Sequence, residues 1–262
     1  MVPQSGHCSK VLEQFLRSND GFLIFHSQQQ LNTTRRLLVL DSSFNPPHAS
    51  HYNLVKTAFQ HYQRQGDELQ VLLLLSINNA DKGVHPATFD RRMDMMCIMG
   101  DLLRRESIKT SIGLTKFGKF VDKSKVIQTS LGEHFKITYL VGFDTIIRVF
   151  DSKYYKPALT AEALSLFMNV TDFYCLSRKC DIPLVRQLNY PVDIANGIYE
   201  PNIPRSWSEK ITVRDNDDLL SEVSSSMLRR SIFDPNVDDT PFVLPEIREY
   251  ILNDHAGNNI FQ

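Results

Sequence analysis

The sequence predicts an α/β protein built on a doubly wound parallel sheet, and three observations predict it. Short, wholly apolar runs closed by polar turns recur along the chain, as strands buried on both faces do. Between them lie segments whose apolar residues repeat at helical spacing. The runs and the segments also alternate, the rhythm in which right-handed crossovers lay successive strands parallel.

Val11, Phe15 and Leu16 give the first segment a helical face, and Phe22 to Phe25 can form a strand before the polar stretch Ser27 to Arg36. Residues 1–36 are therefore read as an N-terminal extension and residues 37–262 as the main domain. Leu37-Leu38-Val39-Leu40 is the first buried strand, ended by Asp41-Ser42-Ser43. Asn45-Pro46-Pro47 forbids helix until Pro47, whose fixed φ suits a first helical position, so a helix is expected from about His48, with Leu54, Val55 and Ala58 on its apolar face. Val71 to Ser76 should pair beside the first strand as its crossover product. Thr88 is the expected cap of a helix over Phe89 to Arg104, where Met93, Met96, Cys97 and Gly100 recur as core residues.

Ile108 to Leu114 reads as a weaker strand, followed by a basic, aromatic-dotted segment to about Thr129. Lys136 to Gly142 and Asp172 to Arg178 read as strands, with a short helix opened by Phe143-Asp144. Asp181 to Ser208 holds four prolines and the only tryptophan and is expected to be irregular. Lys210 to Arg214 is a last strand, and helices near Ser224 to Phe233 and Pro245 to Asn253 close the chain.

Composition narrows the function. The 262 residues are 42% hydrophobic and 23% charged, enough for a sizeable core. With 29 basic and 30 acidic residues the formal net charge is −1, which leaves no footprint for nucleic acid or an anionic membrane. Cys8, Cys97, Cys175 and Cys180 have neither zinc spacing nor a disulfide framework, so a reducing compartment is expected. Residues 1–20 hold no apolar core of signal-peptide length and no run approaches a membrane span, so the cytoplasm is the expected location, with the nucleus also open. Oligomeric state is not legible. Gly113 to Lys119 has the glycine and lysine spacing of a phosphate loop, but Phe120 occupies the Ser/Thr position, and the motif is read as a decoy.

A strand, a tight loop and a fresh helix N-terminus in succession make an anion site, because unpaired N–H groups and the positive dipole end converge there. His48 and His51 leave the same face of that first turn; as two surface histidines they would be unremarkable, but beside the strand and double proline they suit a phosphate. Ser43-Phe44-Asn45-Pro46-Pro47-His48-Ala49-Ser50-His51 resembles the Thr/Ser-Phe-Asp/Asn-Pro-x-His-x-Gly-His signature of the nucleotidylyltransferase superfamily. Ser42 stands where that family usually has glycine, and Ser50 replaces the glycine between the histidines, both adding bulk near the nucleotide. Far downstream, Ser224-Ser225-Ser226-Met227-Leu228-Arg229 is similar to the family's Ile-Ser-Ser-Thr-x-Ile-Arg signature; alone it is a serine-capped helix with an arginine. Gly142-Phe143-Asp144 is similar to the Gly-x-Asp of the adenylyltransferases that make NAD, though a helix cap after a strand reads equally well. Arg178 resembles their next arginine, and Lys82 and Arg92 their substrate-facing cations.

The resemblance spans about 37–232. It implies a Rossmann-like nucleotidylyltransferase fold and adenylyl transfer from ATP to nicotinamide mononucleotide, giving NAD and pyrophosphate. It places His48, His51 and Arg229 as catalytic residues. Ser43, Phe44, Asn45, Lys82, Arg92, Gly142, Asp144, Arg178, Ser224, Ser225 and Ser226 are its nucleotide and substrate contacts. Mg²⁺ would bridge the phosphates with few protein ligands, and no metal-binding residue is singled out. Transfer to another phosphorylated acceptor such as phosphopantetheine, cytidylyl transfer, and a non-catalytic nucleotide sensor remain open. Phe117, Phe120 and Trp207 are candidates to stack on the nicotinamide.

Overall fold

In the computed structural model, residues 6–27, 34–78, 86–234, 236–253 and 260–261 are described. The elements in chain order are α1 (His7–Arg17), β1 (Phe22–His26), β2 (Arg36–Asp41), α2 (Ala49–Gln63), β3 (Leu69–Ser76), α3 (Phe89–Arg105), β4 (Thr110–Thr115), α4 (Phe120–Leu131) and β5 (Lys136–Gly142). There follow α5 (Phe143–Val149), α6 (Thr160–Val170), β6 (Thr171–Leu176), α7 (Leu184–Ala195), β7 (Ile211–Arg214), α8 (Asp218–Ser221), α9 (Ser225–Ser231) and α10 (Pro245–Asn253).

The strands form one sheet in the order β1-β4-β3-β2-β5-β6-β7, parallel except for β1 at the edge. The six parallel strands have the doubly wound order, in which the chain moves outward from β2 in one direction and then returns to β5 at β2's other side. The apolar runs are continuous because each strand serves two cores. Leu38 and Leu40 of β2, with Val71, Leu73 and Leu75 of β3, pack with α2 and α3; Leu37, Val39, Leu72 and Leu74 pack with Ile127 of α4, Phe167 of α6 and Tyr190 of α7. In-register pairs such as Leu38 with Val71 and Leu37 with Ile137 hold that alternation across the sheet.

The expected strands and their pairing are present, and three segments depart from expectation. The N-terminal stretch contributes structure to the sheet: β1 pairs antiparallel with β4, Phe22 opposite Thr115, and α1 packs on α3 through buried Cys8 and Phe15. The segment expected to be irregular holds α7, with Pro191 inside it; Gln187, Tyr190 and Ile194 recur on one buried face, and that burial outweighs the hydrogen bond the proline cannot make. Much of the basic segment after β4 is α4. The decoy is confirmed as such, since Gly113 lies within β4 pressed against β1, where an added Cβ would come 3.0 Å from the Leu23 carbonyl oxygen.

Candidate functional site

In an open α/β sheet, ligands bind outside the carboxyl ends of the strands where the order reverses. Here that point lies between β2 and β5, so the loop after Asp41 and the turn at Gly142 face one crevice.

The loop after β2 is tied down at nearly every residue. Phe44 adopts φ 45°, a left-handed conformation costly for a bulky side chain, and its fully buried ring anchors the turn in the core. Phe44 can therefore meet a ligand only through its backbone. Asn45 is buried, and its Oδ1 accepts from Ala87 N at 3.4 Å. Pro47 is not the first helical residue: α2 starts at Ala49, and His48 is its N-cap, with Nδ1 accepting from His51 N at 3.4 Å. This cap bond sets the His48 tautomer, because a neutral ring whose Nδ1 accepts carries its proton on Nε2. The His48 and His51 rings stack with centroids 3.7 Å apart and an interplanar angle of 20°. Ser43 follows the strand end half-buried, and Ser50 is buried in the first turn.

Helix α9 is sewn onto this loop. Ser224 caps it, accepting from Met227 N at 3.2 Å, which leaves its neighbours to reach across. Ser225 Oγ donates to Pro46 O at 2.9 Å, Arg229 Nη1 donates to Asn45 O at 2.5 Å, and Arg229 Nη2 donates to Ser226 Oγ at 3.0 Å. The serine-arginine motif and the histidine motif thus share one wall although about 180 residues separate them.

Gly142, Asp144 and Arg178 join this wall from the ends of β5 and β6. Arg178 Nη1 donates to Val223 O at 2.9 Å, and its Nε lies 3.9 Å from Asp144 Oδ1. Gly142 lets two side chains close over it: a Cβ there would sit 2.8 Å from Asp144 Oδ1 and 3.2 Å from Arg178 Cδ. Gly142→Ala should push the Asp144-Arg178 pair aside and weaken nucleotide binding about tenfold while leaving far-UV circular dichroism intact, since φ −81° at this position is open to alanine. Titration calorimetry with ATP measures it; unchanged affinity would remove this corner from the site.

Arg92 is buried, with Nε donating to Ala87 O at 2.8 Å and its guanidinium 4.8 Å over the Phe89 ring. Burial, with the Arg229 charge adding to it, pushes its pKa down to about 10. It fastens the backbone beside Asn45 and shares the field of Arg229. Lys82 lies outside the described residues. Of the aromatic candidates, Trp207 is buried against Phe150, and Phe120 is edge-on to Tyr139 at 4.8 Å, whereas Phe117 is 38% exposed at the carboxyl edge of β4. Ser76 Oγ donates to Phe117 O at 2.7 Å, joining two loops on the same rim.

Arg92, Arg178 and Arg229 make this crevice locally cationic in a chain of net charge −1. Burial, His51 and Arg178 hold the His48 pKa well below its usual value, so the ring is a neutral donor. The unfolded ring takes up a proton near pH 6.5 while the folded ring resists it, so stability is lost as pH falls below about 6.5. His26 and His61, also lowered chiefly by burial, add to the same slope. The urea midpoint should fall between pH 7.5 and 5.5, and His48→Asn, which keeps a capping acceptor but cannot titrate, should flatten that fall. An equal slope in the variant would rule out His48 as a contributor.

The cytidylyltransferase-like family model matches residues 39–231. The chain belongs to this family. A Schizosaccharomyces pombe (strain 972 / ATCC 24843) protein named "Putative nicotinamide mononucleotide adenylyltransferase" is 34% identical over 247 residues, 94% of each chain. Plasmodium falciparum nicotinic acid mononucleotide adenylyltransferase complexed with NaAD has the same fold, with TM-score 0.57 at 15% identity over 83% of this chain and 95% of that one. The structure of that enzyme complexed with APC gives 0.55 at 14% identity, over 83% and 94%.

In this member of the cytidylyltransferase-like family the histidine loop, the Ser225-Arg229 stretch and Arg92 are joined by direct bonds, whereas Trp207 and Phe120 pack elsewhere. Two side chains were not assigned from sequence. Ser42, in sequence a departure from the family's usual glycine, has its Oγ 3.0 Å from His51 Nε2. Lys123 of α4 is buried in an ion pair with Asp41, directly beneath Ser42 in the chain. A lysine in an amphipathic helix gives no signal of such a partner, because the pairing depends on how α4 lies across the sheet.

Proposed function

We propose that the chain is a nicotinamide-nucleotide adenylyltransferase, converting ATP and nicotinamide mononucleotide to NAD and pyrophosphate in NAD biosynthesis. The observation that carries the site is the direct bonding of Arg229 and Ser225 to the Asn45-Pro46 backbone, just ahead of the His48-His51 pair. Two motifs that each resemble a nucleotidylyltransferase signature form one cationic wall at the switch point of the sheet.

The acceptor phosphate is largely ionised at neutral pH and needs no general base. Its oxygen attacks the α-phosphorus in line; that P–O bond forms as the bond to the bridging oxygen breaks and pyrophosphate departs. Catalysis consists of holding two anions together and donating hydrogen bonds to charge that moves onto the leaving group. His48 supplies a neutral Nε2–H and His51 its ring N–H to the α- and β-phosphates. Arg229, with Ser225 and Ser226, grips the β- and γ-phosphates, and Lys82 and Arg92 supply cationic charge to the transferring groups. Gly142, Asp144 and Arg178 hold the adenosine side, Phe117 is the candidate for stacking on the nicotinamide, and Ser43, Asn45 and Ser224 shape the loops.

Mg²⁺ neutralises phosphate charge when bound. The ion is expected to arrive with the triphosphate. Residues 1–36 lie outside the stretch that resembles the superfamily. Among the described residues no helix is long and apolar enough to cross a membrane, and buried free Cys97 and Cys175 suit a reducing cytoplasm, with the nucleus open.

The deciding experiment incubates the purified chain and Mg²⁺ with ATP or CTP and, in turn, nicotinamide mononucleotide, nicotinic acid mononucleotide and phosphopantetheine, with product mass and pyrophosphate as readouts. NAD from ATP and nicotinamide mononucleotide is expected. A preference for another acceptor or for CTP replaces the assignment, and tight ATP binding without any product makes the chain a nucleotide sensor.

A further inference from the structure

The loop ahead of α2 is held by more than α9. The His48-Ala49 peptide unit is gripped at both ends: its carbonyl accepts from Tyr52 N at 3.1 Å, and its N–H, the first of the helix, donates to Phe242 O at 2.9 Å. A peptide unit is planar, so fixing both polar atoms fixes its orientation, and with it the direction in which His48 leaves the backbone. Phe242 belongs to the turn before α10, beyond the residues 39–231 that the family model matches. One stretch of chain therefore clamps the histidine loop from two sides. Ser225 and Arg229 of α9 hold the carbonyls of Pro46 and Asn45, and the chain that leaves α9 returns to hold Ala49.

Asp239 makes that returning turn. Its carbonyl accepts from Phe242 N at 2.9 Å and Val243 N at 3.1 Å, folding the chain back on itself, and its side chain, 2% exposed, accepts from Arg248 Nε of α10 at 3.1 Å. Helix α10 is in turn fastened to α3, with Ile247 and Ile251 buried and Tyr250 OH donating to Asp94 Oδ2 at 2.9 Å. A carboxylate buried this deeply is costly unless a charged donor meets it, and here the donor ties the turn to a helix. We propose that Asp239 is a positioning residue of the transfer site: by joining its turn to Arg248 it holds the Phe242 carbonyl against Ala49 N and so sets His48 against the α9 wall. This role rests on the reading of His48 as a phosphate donor. With the leading amide of α2 bonded to Phe242, more of the duty of meeting an anion at this helix start falls to the neutral His48 ring, whose placement then matters to the rate.

The test combines kinetics with a readout that needs no turnover. In the full parent chain, hydrogen exchange followed by NMR should find the Ala49 amide protected. In Asp239→Ala that amide should exchange at least about tenfold faster while Val55 and Ala58, deeper in α2, keep their protection. The same variant should lower kcat about tenfold with KM for ATP changed less than threefold, because Arg229 and Ser225 still hold the triphosphate while the His48 donor is misaligned. Arg248→Ala, which cuts the same bond from its half-exposed end, should reproduce both effects and stands in if Asp239→Ala does not fold. Asp239→Asn, which keeps an acceptor for Arg248, should stay within threefold of the parent. An unprotected Ala49 amide in the parent would overturn the proposal. So would variants that melt at lower temperature but keep parent-like kcat and Ala49 exchange, which would make Asp239 a residue of stability alone, or a loss confined to KM. If the parent makes no dinucleotide from any acceptor, the functional reading fails by itself, and the exchange at Ala49 then decides whether Asp239 sets the start of α2.

Discussion

His51→Ala should lower kcat about a hundredfold or more with the fold intact. A hundredfold corresponds to about 2.7 kcal/mol of transition-state stabilisation, the size of one well-placed donor to developing charge in a preorganised site. The fold should survive because the structural duty of position 51 is carried by its backbone: His51 N, not its ring, bonds the His48 cap. Alanine keeps that bond and is a better helix former. The ring contributes a stack on His48 and the hydrogen bond to Ser42, both beside the crevice. Steady-state kinetics and a urea melt of the same preparation check it. A midpoint shift matching the loss of rate would make His51 structural and leave the phosphates without their second imidazole.

Arg229→Lys should be impaired in spite of its retained charge, with kcat/KM for ATP down by about tenfold to a hundredfold. The guanidinium holds two partners at once, Asn45 O and Ser226 Oγ, and keeps further N–H groups for a ligand. A lysine ammonium is a point charge that cannot reproduce that fork, so it must give up either the loop or the phosphate. Losing a charged donor to a buried-loop carbonyl should also cost about 1–3 kcal/mol of stability. Arg229→Ala should be at least as slow. If the lysine variant turns over like the parent, Arg229 serves the loop alone, and the triphosphate must be held by Arg178 and Arg92.

Periodicity and motif spacing could carry the strands, most of the helices and the two signatures because these are local: each apolar run is set by the need to fill two cores, and each signature lies within one loop and one helix turn. Leu37 to Leu40 reads as a buried strand whatever its neighbours do. The segment 181–208 shows where local reading stops, since four prolines argue against a helix and only the packing of Tyr190 and Ile194 against the second core makes one. Residues 6–27 were legible as a helix and a strand, but not as the sheet's antiparallel edge, because pairing with β4 is a choice among available edges.

The site divides in the same way. The sequence by itself determined which side chains could bind an anion: two histidines at a helix start, an arginine one turn after three serines, and a glycine before Asp144. It also pointed to the doubly wound class, in which the loops after parallel strands gather at one end of the sheet. Only the tertiary structure decided that Arg229 would spend two of its donors on the Asn45 carbonyl and Ser226, and that the Asp144 and Arg178 side chains close over Gly142. It likewise decided that His48 is buried and neutral, and that Ser42, nine residues away along the chain, meets the ring of His51. Hydrogen-bond partners and desolvation depend on distances of a few tenths of an ångström between distant segments. Residue spacing along a chain records which elements form, whereas those distances exist only once the elements have packed.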